Sequence, residues 1–205
     1  MRNLDQYNIT QAVLARLSQT PDARLKEIMT SLVQHLHAFA REVKLTEAEW
    51  MAGIEFLTAT GHKCDDQRQE FILLSDTLGL SMLTVALNND KPAGCTEATV
   101  FGPFHVEGAP HIELGGDVAQ GAKGLPCEVR GTVRGLDGTP VPQAHIEVWQ
   151  ADAEGMYDVQ RSDCNKAQAR GVLQADAQGR YHFSSILAEA YPIPDDGPVG
   201  DMLKA

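Results

Sequence analysis

Apolar positions along the chain change period near residue 90. Before that point they recur at threes and fours, the spacing of a helix with one buried stripe. Asn8-Ile9-Thr10-Gln11 reads as a capping box opening a helix with Val13, Leu14 and Leu17 on one face. Pro21 occupies a first helical position, and Leu25, Ile28, Met29, Leu32, Leu36 and Phe39 then form a stripe. Thr46 and Glu49 form a second box ahead of Trp50, Ile54 and Leu57, with Gly61 as the stop. A longer helical stretch is predicted from about Asp66 to Leu87.

Beyond residue 90 turn residues take over. Lys91-Pro92-Ala93-Gly94 is a connector, and Gly115-Gly116 through Gly124-Leu125-Pro126 a glycine-rich loop. Alternation of period two follows from Cys127 to Arg134, with Val129, Gly131 and Val133 on one face, and again from Ala144 to Trp149. Gly171-Val172-Leu173 and Arg180 to Phe183 flank the turn Asp176-Ala177-Gln178-Gly179. The pattern predicts an α+β chain, with a helical domain over 1–90 and a β-sandwich over 91–205. Four or five strands are visible where a sandwich ordinarily has about seven, so the sheet reads as C-terminally incomplete and the chain as a fragment or a shortened variant.

Charge and cysteines narrow the class. Seventeen basic against 28 acidic residues give a net charge of −11, a surface that repels nucleic acid and anionic membranes. The longest apolar runs, such as Phe71 to Leu74, are far shorter than a membrane-spanning helix needs, and no secretory h-region follows Arg2. Cys64, Cys95, Cys127 and Cys164 share no CxxC or zinc-ribbon spacing, so they read as ordinary thiols of a cytoplasmic protein.

The chain has no GxSxG, P-loop, strand-borne GxGxxG or HExxH signature. His35 and His37 lie two apart on a helix, about 200° around its axis, and cannot share a metal. Two of the four tyrosines, Tyr157 and Tyr191, fall on loops at strand ends. From there they can converge on one hard cation, for which phenolate is a suitable anionic oxygen ligand. The metal would have to pull the phenol well below its ordinary pKa of about 10. The same spacing also suits tyrosines at the edge of a core, which is the commoner outcome.

The surrounding motifs change that balance. Gly131-Thr132-Val133-Arg134, Asp137-Gly138-Thr139-Pro140-Val141-Pro142-Gln143-Ala144, Ile146-Glu147-Val148-Trp149-Gln150-Ala151-Asp152 and Gly155-Met156-Tyr157 together resemble the intradiol ring-cleavage dioxygenase family. The segments from Arg68 to Gly79 and from Gly102 to Pro110 are similar to its catechol and hydroxyquinol branch, which carries a helical domain before the sandwich. The resemblance runs from about Asp22 to the last residue. It implies a non-haem Fe(III) cofactor with Tyr157 and Tyr191 as ligands, Tyr191 leaving the metal to take a substrate proton. The family's two histidine ligands lie in an Arg-Pro-Ala-His-x-His stretch that would begin after Ala205, as does a substrate-positioning arginine. A 205-residue chain without them is expected to be inactive by itself.

By the same resemblance Leu73, Asp76, Val100, Phe101, Gly102 and Phe104 line the substrate pocket. A carboxylate at Asp76 suits a substrate with a third hydroxyl, because that group donates a hydrogen bond to it. The expected reaction is cleavage of hydroxyquinol (benzene-1,2,4-triol) by O2 to maleylacetate, with catechol or chlorocatechol as alternative substrates. The family also pairs through its N-terminal helices, so a homodimer is expected, with lipid trapped at the interface as a further possibility. Two rival readings stand. The Asp-Gly-x-Pro pattern before Trp149 also resembles transthyretin-like binding modules, and the chain could equally be an inactive remnant.

Overall fold

A computed structural model describes residues 3–66, 68–162 and 166–204. Backbone contacts divide the chain into two compact units, Met1–His62 and Lys63–Ala205. The division falls earlier than the change of period at residue 90, because two helices beyond His62 group with the strands.

The first unit holds α1 (Ile9–Leu17), α2 (Ala23–Glu42) and α3 (Glu47–His62). Thr46 and Glu49 cap α3 reciprocally, as the sequence predicts: the Thr46 N–H donates to Glu49 Oε2 at 2.8 Å and the Glu49 N–H to Thr46 Oγ1 at 3.3 Å. The box predicted from Asn8 is not formed. Its partner is Asp5, three residues upstream, with each side-chain Oδ1 accepting the other's backbone N–H at 3.0 Å. Pro21 is likewise not the first helical residue. Asp22 caps α2 by accepting the Leu25 N–H at 2.8 Å, so proline lies one step outside the cap. His37 is not a bare surface histidine, since its Nδ1 lies 2.9 Å from Thr10 Oγ1 and ties α1 to α2. Arg41 reinforces the join by donating to the same hydroxyl at 2.7 Å and to the Gln6 carbonyl at 2.8 Å.

In the second unit the helix predicted over 66–87 is broken into α4 (Glu70–Thr77) and α5 (Leu80–Asn88), bent by 76°. Gly79 adopts a left-handed φ of +73° between them, a conformation that stops the helix at little cost only in glycine. Among the described residues no single helix is long and apolar enough to cross a membrane, although this bent pair has the combined length and composition.

Four strands follow among the described residues: β1 (Pro126–Thr132), β2 (His145–Trp149), β3 (Arg170–Gln174) and β4 (Arg180–Ile186). β1 pairs antiparallel with β4, and β2 with β3, making two ribbons. Burial alternates along β1 and through most of β2, turning one face inward, whereas β3 is covered on both faces. Val129, Tyr181 and Phe183 of one ribbon and Ile146, Val148 and Leu173 of the other surround a shared core with Val118. The glycine-rich segment is therefore more than a loop. Val118 is fully buried, and its N–H donates to the Ser184 carbonyl at 2.9 Å beside β4. A closing helix, α6 (Pro198–Lys204), is not anticipated by the apolar pattern.

Candidate active site

The β2–β3 connection carries Tyr157, and the segment after β4 carries Tyr191. Each is positioned by a separate set of polar contacts. In the first loop Asp152 is nearly buried, and its Oδ1 accepts the backbone N–H groups of Glu154 at 2.9 Å and Met156 at 3.1 Å. Its Oδ2 accepts from Arg161 Nε at 2.8 Å. Burial pushes the Asp152 carboxyl up, but these donors outweigh it and hold the group below its usual range. The Tyr157 N–H donates to Gln160 Oε1 at 2.9 Å, opening a short turn of 3₁₀ helix at Asp158–Gln160.

Arg170, at the start of β3, is 4% exposed and grips the next residue along. Its Nε lies 3.1 and 3.2 Å from the two Asp158 oxygens, and its Nη2 2.7 Å from Oδ1. The same Nη2 donates to the Phe104 carbonyl at 2.8 Å. One buried guanidinium thus fixes both the residue after Tyr157 and the ring that stacks on it. Burial of the Asp158 carboxyl is outweighed by Arg170 and by the Gln168 N–H, and the group stays ionised well below the usual range.

Three rings meet at this point. Phe104 stacks on Tyr157 with centroids 4.3 Å apart and meets Tyr191 edge-on at 5.5 Å, while the two tyrosines are 5.7 Å apart. Burial, and then the neighbouring Tyr191 charge, push the Tyr157 phenol up, with Arg170 opposing. Gly155 permits the approach of the two loops. Its φ is +73°, and a Cβ there would lie 2.7 Å from the Ala190 carbonyl oxygen and 3.3 Å from Tyr191 Cα.

Of the six residues expected around the substrate, Phe104 is in ring contact with both tyrosines. Phe101 belongs to an adjacent cluster, stacked on His105 at 4.8 Å and edge-on to Trp149 at 6.2 Å. Val100 is half-buried and Gly102 exposed with a φ of +79°. Leu73 and Asp76 lie on α4, both half-buried. Cys64, Cys95 and Cys127 are half-buried thiols, while Cys164 lies outside the described residues. Among the described residues no three His, Cys, Asp or Glu side chains form a metal-binding group, which leaves the tyrosine pair as the candidate.

Sequence reading missed Gly155, Asp152, Asp158 and Arg170. Gly155 offered a signal, since Asp-Ala-Glu-Gly is a turn sequence. The Arg170–Asp158 pair offered none, because its members are 12 residues apart on a loop and a strand.

The chain is similar to known dioxygenases along both halves. Residues 22–96 match the profile of the catechol dioxygenase N terminus, and residues 100–205 that of a dioxygenase domain. The chain is 67% identical over 205 residues to 6-chlorohydroxyquinol 1,2-dioxygenase of Cupriavidus pinatubonensis, spanning 100% of its own length and 74% of the relative's. It is 56% identical to hydroxyquinol 1,2-dioxygenase of Nocardioides simplex, over 98% of this chain and 68% of that one. The crystal structure of hydroxyquinol 1,2-dioxygenase from Pseudomonas putida superimposes with a TM-score of 0.93 at 46% identity, covering 97% of this chain and 70% of that one. With both profiles matched in order and a two-tyrosine cluster between the strand ends, the chain belongs to the intradiol ring-cleavage dioxygenase family.

Proposed function

We propose that the chain forms the helical and tyrosine-bearing part of a hydroxyquinol 1,2-dioxygenase, which opens benzene-1,2,4-triol between its vicinal hydroxyls. Both atoms of O2 enter the product, so the triol and dioxygen together account for every atom of maleylacetate. The observation that carries the reading is the convergence of two phenols from separate loops on one aromatic cluster. The hydroxyquinol assignment, rather than catechol or chlorocatechol, draws on the identities of 67% and 56% to enzymes named for hydroxyquinols. A transthyretin-like module accounts for neither the helical half nor the match over residues 22–96.

The donor set suits ferric iron. Two adjacent phenols repel one another as phenolates, which is part of what pushes Tyr157 up, and a cation held by both offsets that repulsion. Tyr157 and Tyr191 would hold the metal as part of a larger ligand set. Bound Fe(III) supplies the Lewis acidity that makes a chelated diol reactive towards O2. The chain's own groups do the rest. Tyr157 would be the fixed holder, because the next residue, Asp158, is gripped by Arg170. Tyr191, 44% exposed and without such a clamp among the described residues, would be the looser holder, and its Oη would take a proton from a substrate hydroxyl. Phe104 covers the phenols against water, with Phe101, Gly102 and Val100 as the neighbouring rim. Asp76 makes no side-chain hydrogen bond or ion pair with the described residues, leaving its carboxylate to accept from the third hydroxyl. Leu73, one turn earlier, supplies the apolar wall beside it.

The half-exposed α2 stripe, with Leu25, Ile28, Leu32, Leu36 and Phe39 between 46 and 54% exposed, suits a symmetric homodimer, and an acyl chain would cover the same apolar face. Sedimentation as a monomer would refute the dimer. A cytoplasmic location is part of the same reading.

The test is spectroscopic. The chain by itself, and joined to the part of the Cupriavidus relative that the match leaves out, is loaded with Fe(III) and given hydroxyquinol. A visible tyrosinate band and ring cleavage in the joined form, both lost in Tyr157→Phe, are expected. An iron-loaded joined form without the band would remove the tyrosines from the metal. In that form Asp76→Ala is expected to lower the preference for hydroxyquinol over catechol by about tenfold or more.

A further inference from the structure

Glu70, in the first turn of α4, has no solvent exposure at all, an expensive place for a carboxylate. Arg68 Nε donates to its Oε2 at 2.9 Å, and Nη2 lies at the same distance from that atom. The Val199 N–H reaches Oε1 at 3.3 Å. Arg68 Nη1 also donates to Asp196 Oδ1 at 2.7 Å, and Lys63 Nζ to Asp196 Oδ2 at 3.0 Å. The chain passes tightly over the carboxylate: a Cβ at Gly197 would lie 2.5 Å from Glu70 Oε1 and 2.9 Å from Arg68 Nη2.

These four charged residues join two stretches far apart in sequence. One leads into α4, which carries Leu73 and Asp76. The other is the five-residue run that ends at Asp196 after Tyr191, stiffened by Pro192 and Pro194. We infer that the Lys63–Arg68–Glu70–Asp196 network is a positioning brace that holds the Tyr191 loop and the substrate-facing helix in one frame. A rise of about 1.5 Å per residue places Asp76 about 9 Å along the axis from Glu70, within one rigid helix. The brace therefore sets the spacing between the carboxylate that selects the substrate and the phenol that takes its proton. Tyr191 needs such an anchor because its own loop is exposed and lacks the buried clamp that Tyr157 has. The functional half of this inference rests on the reading of Tyr191 and Asp76 above, and the structural half does not.

Hydrogen–deuterium exchange on the full metal-free chain separates the two. In Glu70→Gln and Arg68→Met, the Val199 amide, which donates to Glu70, and the amides of α6 and the start of α4 are expected to exchange about tenfold or more faster, with β1 to β4 unchanged. Arg68→Lys, which keeps the cation, restores most of the protection. Unchanged exchange at these amides in both variants overturns the brace, as does loss spread evenly into the strands. Should Arg68→Met fail to fold, Asp196→Asn touches only the exposed end of the network. It is expected to speed exchange of the Val199 amide and of α6 about threefold, and no change there overturns the inference equally. Because no metal is needed, absence of a tyrosinate band in the joined form would count against the iron reading and leave the brace standing.

Discussion

Replacing Gly155 with alanine tests whether the two tyrosine loops truly touch. The substitution carries two separable costs. A left-handed φ of +73° disfavours any L side chain by about 1–2 kcal/mol. The new Cβ would also sit 2.7 Å from the Ala190 carbonyl oxygen, well inside van der Waals contact, so the Tyr191 loop must move outward by several tenths of an ångström. Local strain of that kind adds about 1–3 kcal/mol, for a total of about 2–5 kcal/mol. Gly138 is the control, with a φ of +82° and no atom within 4 Å of its added Cβ. Gly138→Ala therefore pays the conformational cost alone, about 1–2 kcal/mol. Thermal unfolding by circular dichroism reads the difference, at about 2–4 °C per kcal/mol for a chain of this length. Gly155→Ala is expected to melt about 4–20 °C below the parent and clearly below the control. If the two alanine variants melt together, the loops are not in contact at Gly155, and the convergence of Tyr157 with Tyr191 loses its support.

Three further outcomes follow from the same geometry. Arg170→Met strands the Asp158 carboxylate, whose side chain is 8% exposed, and is expected to cost about 3–5 kcal/mol by urea unfolding. Adding Asp158→Asn should recover part of that loss, and a single variant within 1 kcal/mol of the parent, about the size of an ordinary surface pair, would remove Arg170 as a clamp. Leu173→Ala, at the centre of the core, is expected to cost about 2–5 kcal/mol, against about 0.5 kcal/mol or less for the exposed Leu136→Ala. Arg68, and then Lys63, hold the Asp196 carboxyl down at about 2. A depressed folded pKa means that the pairing contributes stability above the ordinary value of about 3.9 and loses it as pH falls through about 2. Carboxyl carbon resonances of Asp196 should show that low inflection, moving back towards the ordinary value in Arg68→Met, and an ordinary inflection in the parent would contradict the ion pairing.

Local patterns carried much of the fold. Alternation from Cys127 to Arg134 and from Ala144 to Trp149 marks β1 and β2 because one face of each strand packs inward and the other meets water. Thr46 and Glu49 are legible because a capping box is completed within four residues. The break at Gly79 was hidden, since apolar spacing from Ile72 to Leu83 continues across it and only the backbone angle ends α4. Burial of Val118 was hidden by its glycine-rich neighbours, whose composition signals a loop. At the candidate site, the tyrosines stand out by their scarcity and context, and the residues proposed for the substrate rim by resemblance. The groups that hold them do not, because Arg68 meets Asp196 across 128 residues and Arg170 meets Phe104 across 66.

The nested pairing of the ribbons bears on how the protein assembles itself. β2 and β3 close around the 20 residues from 150 to 169, whereas β1 and β4 must close around the 47 from 133 to 179. For a flexible chain the longer closure costs about 0.8 kcal/mol more in entropy, and once the inner ribbon has formed most of that span is already tied off. The inner ribbon is thus the natural nucleus, with the outer strands zipping on afterwards. Tyr157 lies within the inner closure, while Tyr191 comes into place only when β4 has docked. By this closure argument the Tyr157 side of the aromatic cluster is expected to form first, with Tyr191 joining once β4 is in place.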